Sequence, residues 1–85
     1  MDKNIKLSEY NFSMGTLIDV QEKSEYLKNN IPGSINIPFN ELIFNHSKYL
    51  NKNKTYFIIC KGGHKSKRAA NILRVYGYNT YNVIR

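Results

Sequence analysis

"KTYFIICKGGHKSKRAANILRVYG", Lys54 to Gly77, decides the fold. Lys54–Cys60 carries aromatic and β-branched residues at successive positions, the pattern of a central parallel strand covered on both faces. That strand ends on the chain's only cysteine. Beyond a glycine-containing loop, Ala69, Ala70, Ile72, Leu73 and Tyr76 fall on one side of a helix expected from about Ser66 to Tyr76, with Gly77 as its stop. A buried strand, a short loop and an amphipathic helix make half of a βαβ unit.

Working outward, the same alternation continues in both directions. "TLIDV" (Thr16–Val20) reads as a buried strand led in by Gly15, with Asp19 as its exception. "KSEYLKN" from Lys23 to Asn29 has helix-forming composition and only Tyr26 and Leu27 to bury. Pro32-Gly33 makes a turn, Ser34–Ile37 a brief strand, and Pro38 its end. Leu42, Ile43, Tyr49 and Leu50 give 39–50 a helical apolar face, interrupted near Asn45-His46-Ser47. "NTYNVI" (Asn79–Ile84) closes as a last strand. Alternating strands and helices with short connections imply an α/β domain: a mainly parallel sheet flanked by helices. In such sheets the ligand lies beyond the carboxyl ends of the strands, where Cys60 stands.

Eighty-five residues, 41% of them hydrophobic, suffice for one domain and one core. One cysteine allows no intramolecular disulfide. No apolar run approaches the ~18 residues of a membrane span, and "MDKNIKLSEY" lacks the apolar stretch of a signal peptide. A cytoplasmic, reducing setting without membrane contact is expected, in which the thiol stays free. Thirteen Lys and Arg against six Asp and Glu give a net charge of +7, which attracts anions of any kind. Nucleic acid is not the expected partner, because no aromatic side chains interleave the basic residues at 61–68 to serve as stacking platforms.

The loop Cys60-Lys61-Gly62-Gly63-His64-Lys65-Ser66 can favour a thiolate in three ways. Gly62 and Gly63 allow the N–H groups of residues 61–65 to curl around the sulfur. A helix starting near Ser66, with Ser66 as N-cap, adds the positive end of its dipole. Lys61, Lys65, Lys67, Arg68 and His64 add cationic side chains. Cys60 is therefore expected to be a nucleophile at neutral pH rather than a small buried hydrophobe. A metal is not expected: Cys60, His64 and His46 form no C-x-x-C or H-x-x-x-H pair. Nor is this a Walker loop, since His64 follows Gly63 where lysine is required. His64 has no carboxylate partner visible in the sequence and reads as a loop donor or cationic neighbour, not a general base.

Three stretches, "LIDVQEKSEY" (17–26), "IPGSINIPFNEL" (31–42) and "YFIICKGGHKSKRAANILRVYGY" (56–78), resemble the single-domain rhodanese family of sulfurtransferases. The resemblance spans nearly the whole chain and implies a rhodanese-like three-layer domain over 1–85, short at its C-terminus. It implies Cys60 as the catalytic cysteine, with Lys61, Gly62, Gly63, His64, Lys65 and Ser66 as the substrate-binding loop and no cofactor. Asp19 takes the family's "DV" position, where it is expected to cap backbone N–H groups or pair with a cation beneath the loop. Sulfur would pass from a small anionic donor such as thiosulfate to Cys60 as a persulfide, and on to a thiol or to cyanide. A protein persulfide donor or acceptor is the other partner implied, and a non-catalytic sulfur-relay or protein-binding module the alternative function.

Two departures bear on activity. Gln21 stands where the family usually has arginine after "DV", and Lys65 where arginine is frequent. Cysteine-based phosphatases of related architecture need an arginine six residues after the cysteine to grip phosphoryl oxygens bidentately; here that residue is Ser66.

Overall fold

The computed structural model describes residues 3–85. Along the chain lie β1 (Asn4–Lys6), two single turns of 3₁₀ helix (Leu7–Glu9 and Phe12–Met14), β2 (Thr16–Asp19) and α1 (Lys23–Lys28). They are followed by β3 (Ile35–Asn36), α2 (Phe39–Phe44), α3 (His46–Tyr49), β4 (Thr55–Ile59), α4 (His64–Val75) and β5 (Asn79–Ile84). The five strands form one sheet in the order β1-β5-β4-β2-β3, and every neighbouring pair is parallel. The central parallel sheet flanked by helices expected from the sequence is present, with β4 at its middle.

Side chains alternate across a strand, so β4 feeds two cores at once. Tyr56, Ile58 and Cys60 face one layer, where they pack with Ile18, Val20, Leu42 and Leu50 and with Ala69, Ala70 and Leu73 of α4. Phe57 and Ile59 face the other, with Leu17, Val83, Ile5, Leu7, Tyr10, Ile31 and Tyr81. Phe57 stacks on Tyr81 with ring centroids 5.0 Å apart and is tilted against Tyr10 at 4.9 Å. The small Ala69 and Ala70, both fully buried, let α4 lie close to the strand it follows.

The connections position the site. From β2 the chain passes through α1 to β3 on one side; from β4 it passes through α4 to β5 on the other. Adjacent parallel strands whose connections leave in opposite directions open a crevice at their carboxyl ends. Val20 N–H donates to the Ile59 carbonyl at 3.0 Å, so the two strand ends stand level there.

One strand was not expected, and two expectations need correction. The segment 3–15 holds an edge strand that the sequence does not announce: β1 has three residues with one apolar side chain, too few for a period to show, and it pairs with β5 through Ile5 and Val83. The strand expected over Ser34–Ile37 is only two residues long. Leu27, expected to be buried with Tyr26, is 68% exposed, and α1 is held instead by the Tyr26 hydroxyl donating to the Ser34 carbonyl at 2.7 Å. The interruption expected within 39–50 falls at Asn45, between α2 and α3.

Gly15 fixes how β2 enters the sheet, since a Cβ at this position would lie 2.4 Å from the Thr55 carbonyl oxygen. Gly15→Ala is expected to lower stability by ~1–3 kcal/mol through this forced displacement of β2 from β4. Urea unfolding followed by tyrosine fluorescence measures it; an unchanged midpoint would contradict the tight contact.

Candidate active site

Cys60 follows the last residue of β4 and is buried, with 5% of its surface exposed. Its sulfur accepts hydrogen bonds from Gly63 N–H at 3.1 Å and Ser66 N–H at 3.3 Å. Of these donors only Gly63 lies in the expected stretch 61–65. Gly63, with φ 86°, turns the backbone into the left-handed region and serves as the N-cap of α4. Gly62 has no positive φ, so one glycine rather than two supplies the unusual geometry.

The helix starts at His64, not near Ser66, and Ser66 is not its N-cap. The first-turn N–H groups of a helix have no helical carbonyl to bond, and a Ser or Asp side chain ordinarily accepts one of them. Here the sulfur of Cys60 takes that place by accepting from Ser66 N–H. Ser66 is fully buried and is used differently. Its hydroxyl donates to Asn82 Oδ1 at 2.6 Å, has the Gly63 carbonyl at 3.2 Å, and accepts the Cys60 thiol proton at 3.4 Å. Asn82 Nδ2 in turn donates to Asn4 Oδ1 at 3.1 Å, so β5 and β1 brace the loop from behind.

A cavity of about 290 Å³ opens above the sulfur, lined by Gln21, Glu22 and Glu25 from the chain after β2 and by Cys60, Lys61, Gly62, His64 and Lys65. Lys61, His64 and Lys65 are thus brought to one place, as expected. Arg68 is not: one helical turn further along α4 from His64, it lies over the Phe39 ring of α2, 5.4 Å from its centroid, and does not line the cavity. A second hollow of about 240 Å³ lies on the far side of the loop, between Cys60–Gly63 and Val83–Arg85. Arg85 Nε donates to the Cys60 carbonyl at 3.2 Å.

Asp19 is fully buried and does not line the cavity. Oδ1 accepts Gln21 N–H and Oδ2 accepts Gln21 Nε2–H, both at 2.9 Å. The aspartate caps the turn after β2, and the amide of Gln21 sits against it where the resemblance implied a cation. Asp19 thus acts on the cavity only by holding Gln21 in its wall. Glu22, Glu25 and Asn82 are site residues that the sequence did not reveal. The two glutamates share the cavity with Cys60 because β2 neighbours β4, and strand order is not written in local pattern.

Among the described residues no group of three or more His, Cys, Asp or Glu could hold a metal ion, and no helix is long and apolar enough to cross a membrane. What the fold and site define is a parallel α/β domain that encloses a strand-end thiol in main-chain N–H donors. Residues 3–85 match the Rhodanese-like domain, and the chain belongs to that family. It is 37% identical over 62 residues to YrkF of Bacillus subtilis, a protein named as a candidate sulfur carrier, covering 73% of this chain and 33% of that protein. It is 35% identical over 65 residues to the tRNA sulfurtransferase of Thermoplasma acidophilum, covering 76% of this chain and 13% of that enzyme. This chain therefore matches about a third or less of the length of these relatives. Among solved structures, the rhodanese-related protein of Thermoplasma volcanium superposes with a TM-score of 0.85 at 34% identity, covering 95% of this chain and 82% of that one.

The loop geometry separates its two glycines. A Cβ on Gly63 meets no atom within 4 Å, so only the left-handed backbone opposes a side chain there. Gly63→Ala is expected to cost about 1–2 kcal/mol of stability and to slow iodoacetamide alkylation of Cys60, whereas Gly62→Ala stays close to the parent in both. Equal effects of the two substitutions in paired unfolding and alkylation assays would refute this division.

Proposed function

We propose that this protein is a sulfurtransferase that carries sulfane sulfur as a persulfide on Cys60. The observation that supports it most is the pair of N–H donors, Gly63 and Ser66, on the sulfur at the end of β4. Main-chain donors directed at sulfur are placed to stabilise negative charge that develops there during sulfur transfer, without any charged side chain moving. Hydrogen bonds to a charged group contribute roughly 1.5–3 kcal/mol each. The relatives named for sulfur transfer or carriage support the same reading.

The Cys60 thiolate attacks the outer sulfur of the donor. With thiosulfate, a bond forms between Cys60 Sγ and that sulfur, the donor's S–S bond breaks, and sulfite leaves with the bonding pair. The terminal sulfur of the resulting persulfide extends into the cavity, past the sulfur's own donors and toward the N–H groups of His64 and Lys65, which have no helical carbonyl behind them. Lys61 and Lys65 attract the anionic donor and offset the charge of the leaving group. An acceptor thiolate then takes the outer sulfur as its own persulfide, and Cys60 returns as thiolate. Ser66, six residues after Cys60 where a phosphatase of related architecture needs arginine, leaves no bidentate partner for a phosphoryl group.

Incubation with thiosulfate should add about 32 Da, one sulfur atom, to the intact protein, and cyanide should remove it as thiocyanate. Cys60→Ser should show neither. An unmodified mass after exposure to thiosulfate and to a low-molecular-weight hydropersulfide would sink the reading.

A further inference from the structure

The cavity above Cys60 is dipolar in its charges, although the chain as a whole is strongly basic. Lys61 and Lys65 stand on the wall formed by the loop after β4, Glu22 and Glu25 on the wall formed by the chain after β2, and the neutral Gln21 lies beside the glutamates. Among the described residues neither glutamate side chain has a hydrogen-bonding or ion-pairing partner. A dianion such as thiosulfate is drawn by one wall and repelled by the other. The glutamates would be offset by a cation at Gln21, but the Gln21 side chain is an amide committed to Asp19.

We infer that the preferred sulfur donor of this site is a zwitterionic aminothiol hydropersulfide, with its ammonium group against Glu22 and Glu25 and its carboxylate against Lys61 and Lys65. This rests on the persulfide reading of Cys60 and names the substrate class it takes. The size agrees: about 290 Å³ lies at the lower edge of small-molecule sites, suited to a ligand of amino-acid size. The chemistry balances without a further reagent. Cys60 thiolate attacks the outer sulfur of R–S–SH, the new S–S bond replaces the donor's, and R–S⁻ departs. An ammonium near the departing sulfur lowers the basicity of that thiolate and speeds its release. Glu22 and Glu25 are specificity-determining residues here, acting on donor binding and not on the sulfur itself.

The test compares three donors on the full chain under anaerobic conditions: cysteine hydropersulfide, its des-amino analogue 3-mercaptopropionate hydropersulfide, and thiosulfate. The parent is expected to load Cys60 from the zwitterion with a kcat/KM about fivefold above that for the des-amino donor, the order expected of two solvent-exposed ion pairs, and mainly through KM. In Glu22→Gln/Glu25→Gln the preference disappears and thiosulfate turnover rises. Both glutamates are exposed, and an unchanged circular dichroism spectrum and thermal midpoint confirm that the variant is folded. Equal loading from all three donors, or a preference that survives in the variant, overturns the inference while leaving the persulfide on Cys60 intact. Failure of every donor to load Cys60 overturns the persulfide reading, and this inference with it.

Discussion

Two main-chain N–H groups, those of Gly63 and Ser66, converge on the sulfur of Cys60, and much of the architecture serves to hold both sides of that contact still. The sulfur is placed by β4, which is paired on both edges and covered on both faces, so its end has little freedom. The donors are placed by α4, which rests on the sheet through Ala69, Ala70 and Leu73. Thr80 of β5 fastens that helix by donating its hydroxyl to the Ala70 carbonyl at 2.7 Å and accepting Arg74 Nη2 on its own carbonyl at 2.9 Å. A thiol that caps a helix in place of serine or aspartate joins strand, loop and helix in one interaction.

Much of this was legible in the sequence because the signals were local. The run "YFIIC" announces a strand covered on both faces, Gly77 a helix end, and Cys60 a thiol where strand becomes loop. The face on which the cysteine lies was not legible. In a strand apolar on both sides no alternation shows, and only packing against α4 reveals that Cys60 shares the layer of Tyr56 and Ile58. The start of α4 at His64 escapes local pattern for a related reason: Ser66 has the chemistry of a cap, but the sulfur already supplies the acceptor, and the serine bonds Asn82 instead.

The features that escaped the sequence are those that depend on which strands lie side by side. Glu22 and Glu25 belong to an unremarkable polar exit from β2 until β2 is placed beside β4. Asn82 is one polar residue in a strand until β5 is placed behind the loop. β1 is too short to declare itself and exists because β5 offers an edge to pair with. In each case the missing information was neighbourhood, which parallel crossovers create over distances that no short pattern spans.

The Asn4–Asn82–Ser66 chain of hydrogen bonds has a consequence in time rather than in space. Asn4 and Asn82 are 78 residues apart, so their bond closes a loop of nearly the whole chain, the entropically slowest kind of contact to form. The strand, the helix and the curled loop between them can gather locally much earlier. The bracing behind Ser66 is completed only when β1 has paired with β5, a long-range contact, whereas the sulfur's own N–H donors lie within six residues of it.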